Sequence, residues 1–446
     1  MSQSLESLAL AARFSAVLSG RRWRTFVSLS HILAICVIGV AGSVAFGESA
    51  SDKTGAPQIG YEPNLPVIFL ESTNQIVGDR DRKVPGTIRI LYPRAKTEAT
   101  KPMPAAVRFH GASSQGYPKK SFAIAFNSPA ALLGMRESPH WILNAAYIDR
   151  SLMRHKLSYD LFRSLSTPGA RRFAAASRFV EAHFNGGYNG VYLLMERVDA
   201  QLLELLSYNS NDVRHACVYK AVDHAGGFSN PGHAGYDQRE PDQLLHPYWK
   251  PLDGFSRFVS SARDAEFFDP VAGVASRLDL DNAIDFHLLV LLTSNVDGTD
   301  KNFILAQDGQ TSGPIAQKFF FAPWDYDATF GRNWNATPVE STAWLSIRLF
   351  DRLLSNTEYR KKFVARWKQL RNGAFSPKNI QNLIDDNVRT LGPAVQRNAR
   401  RWPTNQGPYP DSLQFAEDIA QMKSWTEARV KWLDQEIERT LNHGGR

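Results

Sequence analysis

The sequence predicts an α+β protein in two parts, β-rich over residues 61–199 and mostly helical over 200–446. Three observations carry this. The earlier part sets short, β-branched segments between Pro, Gly and Asp. An Asn-Gly turn there separates two apolar runs. Beyond residue 200 the apolar residues recur at helical spacing. At 446 residues the chain exceeds an ordinary compact core, so two lobes or two domains are expected. With 43% hydrophobic and 22% charged residues, the composition is that of a globular protein.

Residues 1–47 carry an address. Arg21, Arg22 and Arg24 precede an apolar run from Phe26 to Phe46, and Ala45-Phe46-Gly47 offers small residues at a cleavage spacing. Basic, apolar and small segments in that order make a secretory signal. The run is also about long enough for an uncleaved membrane anchor. Residues 48–60, rich in Ser, Gly, Ala and Pro, read as a linker.

Strands are expected at Leu65–Leu70, Thr87–Tyr92, Ala105–Phe109 and Ser121–Phe126. Each is short and bounded by turn residues. Ser151–Leu165 places Leu152, Leu157, Leu161 and Leu165 at helical spacing. A hairpin follows, from Phe179–Phe184 through the turn Asn185–Gly190 to Val191–Val198. In the second part Leu278–Asn295 is the clearest helix, with Asp281 and Asn282 as cap candidates. A second hairpin joins Phe303–Ala306 to Lys318–Ala322, and three or four amphipathic helices are expected from Ser346 onward.

The formal charge of +8 and pI near 9.3 favour an anionic partner: ATP, an acidic or phosphorylated polymer, or a membrane surface. Nucleic acid is excluded, because the basic residues are spread and neither zinc-finger spacing nor an aromatic RNA-binding signature occurs. Only Cys36 and Cys217 are present. Cleavage at the signal would leave one thiol, so stability must come from the core.

The chemistry concentrates between Asn295 and Asp327. Asp297 precedes Asn302 by five positions, a hairpin follows, and Trp324-Asp325-Tyr326-Asp327 closes the segment before Phe330-Gly331. Protein kinases use that order: a catalytic-loop Asp, a metal-binding Asn five residues on, a hairpin, then a metal-binding Asp. Asp297 therefore suits the base that takes the acceptor's proton. Asn302 and Asp325 suit metal ligands, with Asp327 as a second carboxylate and Asp300 a weaker candidate. Any one of these aspartates alone is more often a loop cap. Taken jointly, the order favours phosphoryl transfer.

Upstream, the turn Gly111–Gly116, with Ser113 and Ser114, could wrap phosphates with backbone N–H groups. Lys119 or Lys120 could reach the same phosphates. Arg154 could meet a phosphate or a carboxylate, and Glu196, ending an apolar strand, could meet the nucleotide base or a lysine. Lys220 is a fainter candidate.

Several of these motifs together resemble the spore coat protein H (CotH) kinases. The resemblance lies in Phe109-His110-Gly111-Ala112-Ser113-Ser114 with Pro118-Lys119-Lys120-Ser121, then Trp141-Ile142-Leu143 and Asp149 with Leu152-Met153-Arg154. Asn185-Gly186-Gly187-Tyr188-Asn189-Gly190 with Val191–Leu194 and Glu196 continues it. Asp297, Lys301-Asn302, Trp324–Asp327 and Phe330-Gly331 complete it. The glycine loop departs from the family pattern at His110, Ala112 and Gln115. The resemblance implies an atypical protein-kinase-like fold of two lobes, using ATP and Mg2+ or Mn2+ to phosphorylate Ser or Thr on exported proteins. It implies Asp297 as catalytic residue, Asn302 and Asp325 as metal ligands, and Lys119 or Lys120 as phosphate contacts. The protein substrate would then lie at the cell surface or in the envelope. Two other readings stand beside it: a surface or coat-assembly binding protein without turnover, and a transferase of another part of ATP such as AMP.

Overall fold

A computed structural model describes residues 59–443, apart from 77–81, 94–98, 207–214, 310–316, 336 and 405–412. The expected signal or anchor over 1–47 lies outside the described residues, as does nearly all of the expected linker. No helix among the described residues is long and apolar enough to cross a membrane.

The α+β reading holds, with the strand-rich half first. Seven strands close into a barrel: β1 Val67–Glu71, β2 Val84–Leu91, β3 Met103–His110, β4 Ser121–Ala131, β5 Glu137–Asn144, β6 Ser177–Phe184 and β7 Gly187–Glu196. Their order around the barrel is β1-β2-β3-β4-β5-β7-β6, closed by a parallel pairing of β1 with β6. Closure removes both sheet edges. Period-2 alternation then sorts the side chains. Trp141, Leu143, Val180, Tyr192 and Leu194 fill the barrel. Their neighbours Ile142, Phe179, Leu193 and Met195 join the core of the helical half. One wall of the barrel is thus buried on both faces.

Two local readings are corrected. Asn185 and Gly186, both at positive φ, make the whole turn of the first hairpin, so β7 starts at Gly187 rather than Val191. Gly190 lies inside the strand at φ 104°, where a Cβ would come within 2.6 Å of Asn398 Oδ1 and strike the Trp402 ring. A glycine read as turn is therefore the seat of a helix. Strand β5, which contains Pro139, was not among the expected strands. That proline lies where the β4–β5 ladder is interrupted between Ala125 and Ala130, so no ladder bond is lost there.

Between the barrel strands β5 and β6 runs helix α1, Arg154–Ser164. The second half holds a four-stranded sheet in the order β11-β10-β8-β9, made of β8 Cys217–Ala221, β9 Tyr236–Glu240, β10 Phe303–Gln307 and β11 Phe319–Pro323. Its helices are α2 Lys250–Ser261, α3 Asp264–Phe267, α4 Leu280–Thr293, α5 Arg348–Ser355, α6 Thr357–Arg371, α7 Pro377–Leu391, α8 Ala394–Arg401 and α9 Phe415–His443. Among the described residues five helices follow residue 346, where three or four were expected. The Asn356 cap separates α5 from α6, and Gly392-Pro393 separates α7 from α8. α4 is the axis: every residue from Asn282 to Thr293 is buried, as an apolar run without a polar face requires. Its N-cap is Asp279, which accepts the Asn282 N–H at 3.0 Å, not Asp281 or Asn282.

Candidate active site

Helix α4 ends at Ser294, a left-handed residue with φ 50°. The chain then turns into a short 3-10 segment, Val296–Gly298, that carries Asp297. Four further non-glycine residues between there and Phe330 are left-handed: Asn302 at φ 60°, Gln317 at 61°, Asp325 at 59° and Phe330 at 50°. Each costs on the order of 1–3 kcal/mol unless the surroundings hold it. Asn302 and Asp325 are two of the residues expected to bind metal.

The hairpin brings them together. Phe303 of β10 pairs with Pro323 of β11, and just beyond the ladder the Trp324 N–H donates to the Asn302 carbonyl at 3.2 Å. The Asp325 N–H donates to the Tyr159 hydroxyl at 3.0 Å. The Asn295 amide holds the Asp325 carbonyl at 3.3 Å, which ties the Asp297 loop to the Asp325 turn. One turn before Tyr159 on α1, His155 Nε2 lies 3.5 Å from the Asp325 carboxylate. His155 is almost wholly buried, while 47% of the Asp325 side chain is open to solvent. The carboxylate is therefore fixed from below and presented above.

Its charge is set by this company. Burial pushes Asp325 up, but the His155 bond and charge, with Lys220 and His110, outweigh it and leave Asp325 below the ordinary carboxylate value. Asp327 moves the other way, to about 7, first through burial and then through the Asp325 and Asp149 charges, against the pull of His155. Two carboxylates pushed apart in this way are a pair short of positive charge. Burial opposes charge on His155, yet the Asp325 bond and the surrounding aspartates raise it.

Asp297 bonds to Lys301: the Nζ–Oδ2 distance is 3.1 Å, with both side chains about a quarter exposed. Asp300 takes a different partner, His224, at 2.9 Å. Gly226 and Gly227 rest on Asp300 so closely that a Cβ on either would come within 2.9 Å of it. From β8, the Lys220 ammonium lies 4.4 Å from the centroid of the Trp324 ring. The His110 ring is 6.5 Å from the same indole. Burial first, then Arg108 and Lys220, depresses the His110 imidazole to about 3.

The residues expected around the glycine turn are placed differently. Gly111, at φ 103°, leaves the space that the Ser114 hydroxyl fills. Ser113–Gly116 is a 3-10 turn, stapled by Gln115 Nε2 to the Gly111 carbonyl at 2.8 Å and by Lys120 Nζ to the Gln115 carbonyl at 2.5 Å. Lys119 is buried under α8. It donates to the Val191 carbonyl and to Asn398 Oδ1, lies over the Tyr192 ring, and is held well below the usual lysine range by burial. Arg154 is equally committed. It forks onto both Asp418 oxygens at 2.6 and 2.7 Å, reaches Asp149 at 2.7 Å, and donates Nε to the Thr329 carbonyl. Glu196 accepts the Ala176 N–H at 2.8 Å and faces Arg136 at 3.4 Å. Lys119, Arg154 and Glu196 thus serve as internal ties, with their polar groups spent on the fold.

Sequence reasoning missed His155, Tyr159 and Asn295, which hold Asp325 from other elements. Only Asn295, next to the motif, left a local signal. Among the described residues no group of three His, Cys, Asp or Glu side chains is set to hold a metal. The acidic pair and the Asn302 amide do offer hard oxygen donors, with one carboxylate open to solvent. That suits magnesium, which takes one or two protein carboxylates and completes its shell with phosphate and water.

The family described as CotH kinase protein matches residues 107–433, more than half of the chain and every motif from the glycine turn to α9. The inner spore coat protein H of Bacillus subtilis (strain 168) is 28% identical to this chain over 271 residues, which is 58% of this chain and 68% of that protein. A match of that extent, across both the barrel and the helical half, makes the chain a member of the CotH family.

Proposed function

We propose that this protein is an exported CotH-type kinase that transfers the ATP γ-phosphoryl group to Ser or Thr of secreted or surface proteins, with the barrel and the helical half as the two lobes of an atypical kinase. The observation that carries the reading is the presentation of Asp325: left-handed, pinned by Tyr159 and His155, and half open to solvent. Strain held at one polar residue by partners from a distant helix and a separate loop belongs to sites, not to ordinary turns. A divalent ion held by Asp325, Asp327 and the Asn302 amide would offset phosphate charge. Asp297 takes the acceptor hydroxyl proton, and Lys301 orients its carboxylate between turnovers. Lys220 is the cation best placed near Asp325 for phosphate oxygens, with His110 beside it as a neutral donor. Export rests on the basic, apolar and small order of the N-terminus, and agrees with the coat location that the Bacillus relative's name states.

One observation favours a second reading, a binding protein without turnover. The side chains of Lys119, Arg154 and Glu196 are consumed by internal bonds. Thermal unfolding with ATP and Mg2+ or Mn2+, against ATP alone, separates the two. The kinase reading expects a metal-dependent rise in melting temperature that Asp325→Ala abolishes; no rise with either metal would favour the binding protein.

A further inference from the structure

The C-terminal helix α9 reaches the site through one face. Asp418 clasps Arg154, the residue before His155. Trp425 packs its ring on Gly331, where a Cβ would come within 2.7 Å, and donates Nε1 to the Val339 carbonyl at 2.7 Å. Arg429, eleven residues after Asp418, is fully buried and has carbonyls as its hydrogen-bond partners. Its Nε donates to Leu291 at 2.8 Å, and its Nη1 to Ser341 at 2.9 Å and to Ala343 at 2.7 Å. Nη2 makes no hydrogen bond. The guanidinium lies 5.0 Å from the Trp432 ring centroid, and burial lowers it to about 9.

A buried cation without a carboxylate is a poor source of stability, and an apolar side chain of similar volume is often as good or better. The position of the three carbonyls gives it another use. Leu291 lies in the last turn of α4, where the N–H bonds of Ser294 and Asn295 back to the helix are long, 3.3 Å each. Ser341 and Ala343 follow the segment that leaves Asp327. Two residues on, the Thr293 carbonyl at the end of α4 takes the Phe330 N–H at 2.7 Å. The same helix end therefore receives both strands of the site, and Arg429 fastens it.

We propose that Arg429 is a positioning residue, which sets the exit of α4 and so the place of the Asp297 loop against the Asp325 turn. This rests on the kinase reading for its catalytic consequence, but the brace itself can be read without turnover. The experiment compares Arg429→Met, Arg429→Lys and the unaltered full chain by hydrogen exchange, thermal unfolding and ATP-dependent phosphorylation. The Met variant is expected to keep its melting temperature, to exchange amides in residues 291–302 faster by about tenfold, and to lose kcat while KM for ATP stays within about twofold. Lysine, which keeps the charge but reaches fewer carbonyls, is expected to restore part of both. A folded Met variant with unchanged exchange at 291–302 overturns the proposal. Should the Met variant not fold, the Lys variant decides, and exchange equal to the unaltered protein overturns it. Faster exchange in a protein that never turns over ATP upholds the brace and counts against the kinase reading alone.

Discussion

The Tyr159 hydroxyl accepts the backbone N–H of Asp325 at 3.0 Å, and that bond joins the helix after the barrel's fifth strand to the acidic turn of the second half. A left-handed aspartate needs such a hold, because its conformation is unfavourable without one. Removing the hydroxyl tests it. Tyr159→Phe leaves the Asp325 N–H without its partner, at an expected cost of about 1–3 kcal/mol. Urea unfolding reads the loss as a lower midpoint at unchanged slope; an unaltered midpoint would show that the bond carries nothing.

Asp325 itself exchanges stability for presentation. Glycine is at ease at φ 59°, so Asp325→Gly is expected to raise stability by about 1 kcal/mol. The same variant removes one carboxylate of the pair, so metal-dependent nucleotide binding should disappear. Thermal unfolding with and without ATP and Mg2+ reads both effects on one sample. A variant that loses stability while still responding to the metal contradicts the assignment.

The Arg154 fork onto Asp418 is buried at both ends. Charge pairs of this kind are costly to break singly, since the surviving charge stays out of water. Asp418→Asn is expected to destabilise by about 3 kcal/mol. Arg154→Met combined with Asp418→Leu should recover much of that. A double variant no more stable than the single one would mean that Arg154 and Asp418 are not coupled.

The acid limb of the stability curve has a named source. His287, stacked on Phe350 with ring centroids 4.2 Å apart, shares a 2.8 Å hydrogen bond between Nε2 and the Leu345 carbonyl. Burial lowers it from 6.5 to about 4, despite that bond. In this window the unfolded chain binds the proton and the native chain does not. Stability is therefore complete above pH 6.5 and falls as the pH drops towards 4, by on the order of 3 kcal/mol for this group. His287→Phe should flatten that stretch, whatever its stability at pH 7. Unfolding midpoints at half-unit pH steps check it, and an unchanged slope would contradict the attribution.

Much of this was legible in local pattern. Asn185-Gly186 fixed the barrel hairpin, and the dense apolar run before Asn295 fixed α4 as central. The order of Asn302, hairpin and Asp325 foretold that these two residues meet, because a hairpin returns the chain to where it left. What the sequence concealed depends on contacts far apart in the chain. Nothing near Tyr159 or His155 announces Asp325, which lies more than 160 residues away. Lys119 resembled a phosphate contact since its only local context was a glycine–serine turn. Its actual partners, the Val191 carbonyl and Asn398, come from β7 and α8. Barrel closure was hidden too, because β1 pairs with β6 across more than a hundred residues.

The proposed function gives phosphoryl transfer to the Asp297 loop. Intact-mass spectrometry of candidate surface proteins, incubated with ATP, Mg2+ and either the unaltered protein or Asp297→Ala, tests it most directly. Acceptors heavier by a phosphoryl group are expected with the unaltered protein and none with the variant, although the variant still shows the metal-dependent thermal shift. Equal phosphorylation by both would contradict it, and so would acceptors that carry AMP instead.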